Sequence, residues 1–276
     1  MLFRSDENIF MRGAAVALVV KSFQLDMFFS THKIDANVIR STDTIVTDED
    51  VTVSSFVEDG FHRDSSELAD RHTLNETLYG GHLQFKKNTL NIGATAYRTE
   101  FDKELAPKTQ PYNQFQFHGK ENLNAGVDCN YLVWNVNFFG EAARSENGGR
   151  AFLNGALVSL DSRTSVSLLH RHYDKDYQSY LAGALSESST VANESGFYFG
   201  VATRPYRTIS LNAYYDLFRF PWLRYQVDAL SGGHEYLAQL TFTPSKKFEA
   251  YFRYKQQVKS ENTPGDAYRS EEHTSE

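Results

Sequence analysis

The chain has 276 residues and a formal net charge of −7, with 41% hydrophobic and 14% aromatic residues. That composition excludes an intrinsically disordered chain, and the acidic balance leaves no electrostatic footprint for nucleic acid. A lone cysteine, Cys129, excludes an internal disulfide framework and a cysteine-based metal cluster.

In chain order, AAVALVV (Ala14–Val20) is the longest purely aliphatic run, far short of the roughly 20 residues a spanning helix needs. Asp6 and Glu7 stand where a signal peptide carries positive charge, and no small-residue cleavage site follows, so the run reads as a strand. Strict alternation then recurs. Phe23, Leu25, Met27 and Phe29 alternate with polar residues, as do Tyr79, Gly81, Leu83 and Phe85. So do Leu90–Tyr97, Leu123–Val133 and Val136–Ala142, then Ile209–Leu217, Tyr236–Phe242 and Phe248–Tyr254. The segments 150–160 and 163–173 alternate less cleanly.

Each strand is about 9–11 residues long, the length a tilted strand needs to cross a bilayer. Short connectors fall near Lys21, Asn88, Trp134, Asp161, Pro205 and Pro244. Longer ones cover 31–77, 101–121, 174–194 and 218–233, with one tight exception at Glu146–Gly149. Short turns at one end and long loops at the other are how outer-membrane barrels are built. The fold expected is therefore all-β, a transmembrane antiparallel up-and-down β-barrel. About 12 strands are present, and strand parity calls for about 14 or more, so the chain is expected to be truncated at both ends. Residues 1–268 form this porin-like barrel fragment, and 31–77 is a long extracellular loop with a short helix, since Asp64 and Glu67 have capping-box spacing. The last eight residues, RSEEHTSE (269–276), match an in-frame translation of a sequencing-library adapter and are set apart from the native chain.

On this parity His82, Gln84, Asp128, Glu141 and Arg171 face a polar lumen, joined by Asp216, Glu235, Gln239, Glu249 and Arg253. They either line a path or pair across it and block it. LLHRHYDKDY (168–177) brings His170, His172 and Asp174 to one side of a strand, a weak metal-ligand set, at the outer end of the lipid face. Ser167 beside His170 points to the opposite face, so no nucleophile–base pair is read there. FRFPWLRYQVD (218–228) reads as an interfacial aromatic anchor built on Phe220, Trp222 and Tyr225. No cofactor and no enzymatic activity are expected.

The stretches GFHRDSSELAD, QPYNQFQF, NFFGEAARSENGG, HRHYDKDYQSY, NESGFYFG, FPWLRYQVDA and YLAQLTFTPSK resemble a family of Gram-negative outer-membrane barrels, the helix-hairpin-helix-domain-containing proteins. The resemblance implies a bacterial outer-membrane location, with membrane lipid and the barrel-insertion machinery as partners. It also implies a signal peptide and a small DNA-uptake-type module ahead of the barrel, both expected to be missing from this fragment; DNA would be a partner only through that module. The expected function is a channel, transport or structural role. The alternatives are a DNA-uptake surface component, an outer-membrane lipid hydrolase and a soluble β-sandwich binding protein.

Overall fold

The computed structural model describes residues 11–40, 51–57, 62–262 and 270–275, and nearly all of its regular structure is antiparallel strand. The elements are β1 (Gly13–Val20), β2 (Phe23–Ile34), β3 (Ala36–Arg40), β4 (Val51–Phe56), α1 (Ser65–Ala69), β5 (Leu74–Lys87), β6 (Leu90–Leu105) and β7 (Gly119–Val133). There follow β8 (Val136–Ser145), β9 (Arg150–Ser159), β10 (Thr164–Tyr173), β11 (Glu194–Tyr206), β12 (Ile209–Phe220), β13 (Ser231–Ser245), β14 (Phe248–Asn262) and β15 (Ser270–Ser275).

In the sheet they run β1-β2-β5-β6-β7-β8-β9-β10-β11-β12-β13-β14-β15, each strand beside its neighbour along the path. This is the up-and-down meander that the alternation implies, and its twelve expected strands are β1, β2 and β5 through β14. β15 lies in the stretch set apart as adapter-derived, yet its backbone pairs with β14 from Gln257–Ser275 to Asn262–Ser270. An open strand edge offers unpaired N–H and C=O groups to any extended segment, whatever its side chains. Arg269 and Glu276 lie outside the described residues.

Alternation in sequence becomes alternation in exposure. Along β7, Asn122 and Asn124 are buried and Asp128 is half-buried, while Leu123, Val127 and Cys129 between them are exposed. The same holds on β12, where Asp216 is 5% exposed and its neighbour Leu217 49%. A water-soluble sheet buries its apolar face. Here the polar face is sheltered and the apolar one open.

The short turns gather at one end of the strands. Lys21, Asn88 and Trp134 open two-residue turns with φ of 54°, 53° and 51°, the left-handed sign that such hairpins require. At Pro205 and Pro244 the strands run on to Tyr206 and Ser245, past the expected turns. Register shifts between Thr203 and Tyr206 and between Phe242 and Ser245 absorb the prolines, which have no N–H for the ladder.

The chain forms two compact units, one of Met1–Phe85, Ala94–Gln110 and Gln116–Ala125 and the other of Lys86–Gly93, Pro111–Phe115 and Gly126–Glu276. In the first, the segment 31–77 carries more structure than a loop. β2 continues to Ile34, β3 and β4 form a hairpin, and β4 joins β6 through parallel pairs Thr52–Glu104 and Val53–Leu105. Ile34, Ala36, Val53, Leu74, Phe101 and Leu105 form a buried apolar cluster there. Asp35, 3% exposed, ties the segment together: its carboxylate accepts the His72 N–H at 2.7 Å and a His62 ring nitrogen lies 2.7 Å away. Its carbonyl accepts the Val57 N–H.

The helix anticipated from Asp64 and Glu67 is α1. The Asp64 carboxylate accepts from the Ser66 and Glu67 N–H groups, and Glu67 reaches back to the Arg63 N–H. The Glu67 N–H, with the Ser66 hydroxyl, holds the Asp64 carboxyl below its ordinary 3.8. The Arg63 guanidinium and N–H hold Glu67 below 4.5. Because both are lowered, these contacts are present at neutral pH and are lost only as pH falls through the depressed values.

Asp35→Ala removes the buried carboxylate that accepts the His72 N–H and is expected to destabilise this segment by about 1–3 kcal/mol. Limited proteolysis should show faster cleavage within 57–73 and unchanged protection of β8 through β13.

Candidate functional site

The second unit carries its charge on the sheltered face. Arg171, fully buried, donates from Nε to Glu194 Oε1 at 2.5 Å and from Nη1 and Nη2 to the two oxygens of Asp216 at 2.8 and 3.1 Å. The two-pronged contact uses the planar geometry of guanidinium against carboxylate. Gly196 stands opposite Arg171 in the ladder, where a Cβ would lie 2.8 Å from the guanidinium carbon, so only glycine leaves that space.

The segment 174–193 folds onto this face. Glu194 Oε2 accepts the Ser186 hydroxyl at 2.8 Å and the Glu187 N–H at 2.9 Å, and the Tyr173 hydroxyl donates to the Leu185 carbonyl at 2.8 Å. The Glu187 side chain then reaches β14, where Lys259 Nζ lies 2.8 Å and Gln257 Nε2 3.1 Å from its Oε2. Residue 187 therefore bridges from β11 to β14 above the intervening strands. Further along the face, the Tyr214 hydroxyl donates to Glu235, whose other oxygen pairs with Lys255 at 2.9 Å, and Arg253 Nε donates to Gln239 at 2.7 Å.

Connecting segments lock together at the end away from the short turns. Lys175 Nζ lies 4.4 Å from the Phe115 ring centroid and 4.2 Å from that of Trp222, a cation held between two π faces. Trp222 Nε1–H donates to the Pro111 carbonyl, and Gln178 Nε2 to that of Phe115. Phe220 is buried beneath Arg224, whose guanidinium carbon is 3.9 Å from the ring centroid. The aromatic run read as an interfacial anchor clasps these segments, with Phe220 and Trp222 finding cations and carbonyls within the protein. Only Tyr225, packed edge-on to Tyr112, stays largely exposed.

On the opposite face, His172, Ser195 and Arg219 occupy one cross-strand row over β10, β11 and β12, with Ser195 buried, His172 half-buried and Arg219 exposed. His172 Nδ1 lies 2.5 Å from Ser195 Oγ, and its Nε2 lies 3.2 Å from Asp174 Oδ1. Asp174 is itself fixed, its other oxygen accepting the Arg150 N–H at 3.0 Å. The next row holds Asn154, His170, Phe197 and Leu217, and the one after it Ala156, Leu168, Phe199 and Tyr215. These two rows line a groove of about 740 Å³ whose wall is almost wholly apolar.

The residues anticipated from parity fall as follows. Arg171, Asp216 and Glu235 are buried and paired, and Gln239 and Arg253 are joined to each other. Asp128 is half-buried among asparagines. His82 and Gln84, in the first unit, are half-buried, with His82 Nδ1 2.8 Å from Thr95 Oγ1 and Gln84 opposite Gln24. Glu141 and Glu249 share the polar parity but are exposed, as is Arg253. His170, His172 and Asp174 do not converge as metal ligands. His170 Nδ1 is 3.1 Å from Asn154 Oδ1, His172 is committed to Ser195 and Asp174, and no metal-holding group of three or more His, Cys, Asp or Glu occurs among the described residues.

Sequence parity missed Glu187, Glu194, Lys259 and Ser195. The first three act through a connector, and Ser195 meets His172 only through the β10–β11 register. No model of a known protein family matches the chain, and no curated protein matches it either. The family resemblance therefore rests on its quoted motifs alone.

Arg171→Met leaves Glu194 and Asp216 buried without their cation and is expected to cost about 3–5 kcal/mol. Urea unfolding followed by tryptophan fluorescence should show that loss. Gln257→Ala, at the far end of the bridge, should cost well under half as much.

Proposed function

We propose that the chain forms the wall of a bacterial outer-membrane β-barrel, with passage along its polar interior restricted by the segment 174–193. The carrying observation is the inverted polarity. Phe197 and Phe252, 63% and 70% exposed, stand on the open face, while Arg171, Glu194 and Asp216 are buried on the other. Exposed apolar side chains in this number are unfavourable in water and favourable against lipid. An antiparallel meander with strands of 10 to 16 residues along β5 to β14 suits the same setting, since strands cross a bilayer only when their backbone groups are paired with neighbours. In this reading outer-membrane lipid and the barrel-insertion machinery are the chain's partners, and the function is transport-related or structural.

The Glu187 bridge supports the restricted interior. It ties the inward-folded segment to Lys259 and Gln257 on β14, and so places peptide backbone over the charged face. A barrel closed in this way conducts poorly until the tie is released.

Two experiments test the reading. Leu240→Arg, on the open face between Leu211 and Phe252, should destabilise the folded protein in lipid by about 2–4 kcal/mol. The same change at a water-exposed site would cost within about 0.5 kcal/mol, and that smaller value would overturn the membrane assignment. In planar bilayers the unaltered chain should show small, infrequent conductance steps, and Glu187→Ala should make them larger and more frequent.

A further inference from the structure

We propose that Ser195, His172 and Asp174 form an acyl-ester hydrolase site on the open face of the sheet. Its substrates are ester-linked lipids whose acyl chain lies in the groove beside it. The inference rests on the membrane reading above for the identity of its substrate, and on separate geometry for its chemistry.

The geometry is that of a nucleophile activated by a base that is itself oriented by a carboxylate. With its proton on Nε2, His172 donates to Asp174 at 3.2 Å and presents the Nδ1 lone pair to the Ser195 hydroxyl at 2.5 Å. The two ring nitrogens exchange the roles they hold in most serine hydrolases, but a neutral imidazole has one donor and one acceptor either way. Asp174 is held by the Arg150 N–H to its carboxylate, while its own N–H donates to the Arg150 carbonyl and its carbonyl accepts the Asn193 N–H. Arg219 completes the row as Ser195's partner on β12. Its exposed guanidinium makes no ion pair or hydrogen bond among the described residues and is the donor at hand for a developing oxyanion.

The surroundings fit a lipid. Below the polar row the wall turns apolar through Leu168, Phe197, Phe199 and Leu217, which line the open groove along which an acyl chain can lie. Above it the chain leaves the strands for the connecting segments that carry Lys175 and Asp176. A lipid with its tail in the groove brings its ester to the level of Ser195 and its headgroup to the polar rim.

The reaction balances as ordinary ester hydrolysis. Ser195 Oγ bonds to the ester carbonyl carbon as its proton passes to His172 Nδ1, and the carbonyl oxygen becomes the oxyanion facing Arg219. Collapse breaks the ester C–O bond, and His172 returns the proton to the leaving alcohol. Water then attacks the acyl-serine, giving its proton to His172, which passes it to Ser195 Oγ as the acyl–serine C–O bond breaks and the fatty acid departs.

The test uses the full chain folded into detergent micelles, with two probes. The first is dipalmitoyl phosphatidylethanolamine in mixed micelles, read as fatty-acid release. The second is a fluorophosphonate with a long alkyl chain, located by peptide mass spectrometry. Release is expected, with covalent labelling at Ser195, and Ser195→Ala and His172→Ala should each lower release by about 10³-fold or more. Asp174→Asn should lower kcat with KM unchanged. Ala156→Phe, which fills the groove, should slow labelling by the long-chain probe and leave a short ethyl fluorophosphonate unaffected. Labelling of the unaltered chain needs no variant to fold. Absence of label at Ser195 in a folded, micelle-inserted protein, or release unchanged in Ser195→Ala, would overturn the hydrolase site and leave the barrel reading intact. Labelling and short-chain ester cleavage in a chain recovered in the aqueous fraction would uphold the triad and overturn the membrane reading together with its lipid substrate.

Discussion

Everything in this structure depends on the antiparallel ladder. Pairing every backbone group with a neighbouring strand leaves each residue one freedom, the face on which its side chain stands, and neighbours must take opposite faces. The chain uses that constraint to sort polarity through the middle of its strands, with Asn122, Asn124, Arg171, Asp216 and Glu235 on one side and Val127, Leu168, Phe197, Phe199 and Leu217 on the other. With the polar groups sheltered, they must satisfy one another, because an unpaired buried charge is costly. Arg171 meets that need for two carboxylates at once, and Glu194 extends it to a connecting segment through Ser186 and the Glu187 N–H.

The same three strands carry both the buried ion pair and the row on the open face, one residue out of phase. Arg171 and His172 are adjacent on β10, Glu194 and Ser195 on β11, and Asp216 lies three residues before Arg219 on β12. The guanidinium contacts hold the β10–β11–β12 register from the sheltered side. That register alone brings His172 to Ser195 on the other. A rigid salt-bridged layer is thus the support on which the ordered row of His172 and Ser195 stands, much as catalytic side chains elsewhere rely on buried neighbours for their orientation.

The meander was legible in the sequence because long alternating runs carry their own signal, and Asp64 with Glu67 announced α1 through local cap chemistry. What was hidden depends on partners far along the chain. β3 and β4 are five and six residues long, too short for alternation to stand out, and are held by an apolar cluster drawn from Ile34 to Leu105. The Phe220–Tyr225 run has the composition of a membrane belt, and only the positions of Lys175 and the Pro111 carbonyl make it a clasp. Ser167 lies closer to His170 in sequence than Ser195 does to His172, yet the ladder separates the first pair and joins the second. Registers between strands decide such pairs, and no periodicity within one strand contains them.

The register shifts at Thr203–Tyr206 and Phe242–Ser245 both sit beside the short turns, outside the stretches where polarity is sorted. Insertions and deletions should therefore be tolerated very unevenly along the gene. Loss of one codon between Ser210 and Asp216 would turn every later side chain of β12 over, carrying Asp216 to the open face and Leu217 among the carboxylates. The same loss in a connector would change only its length. Length variation among natural variants should collect at the strand ends, leaving the middle of each strand free to change its residues but not their number.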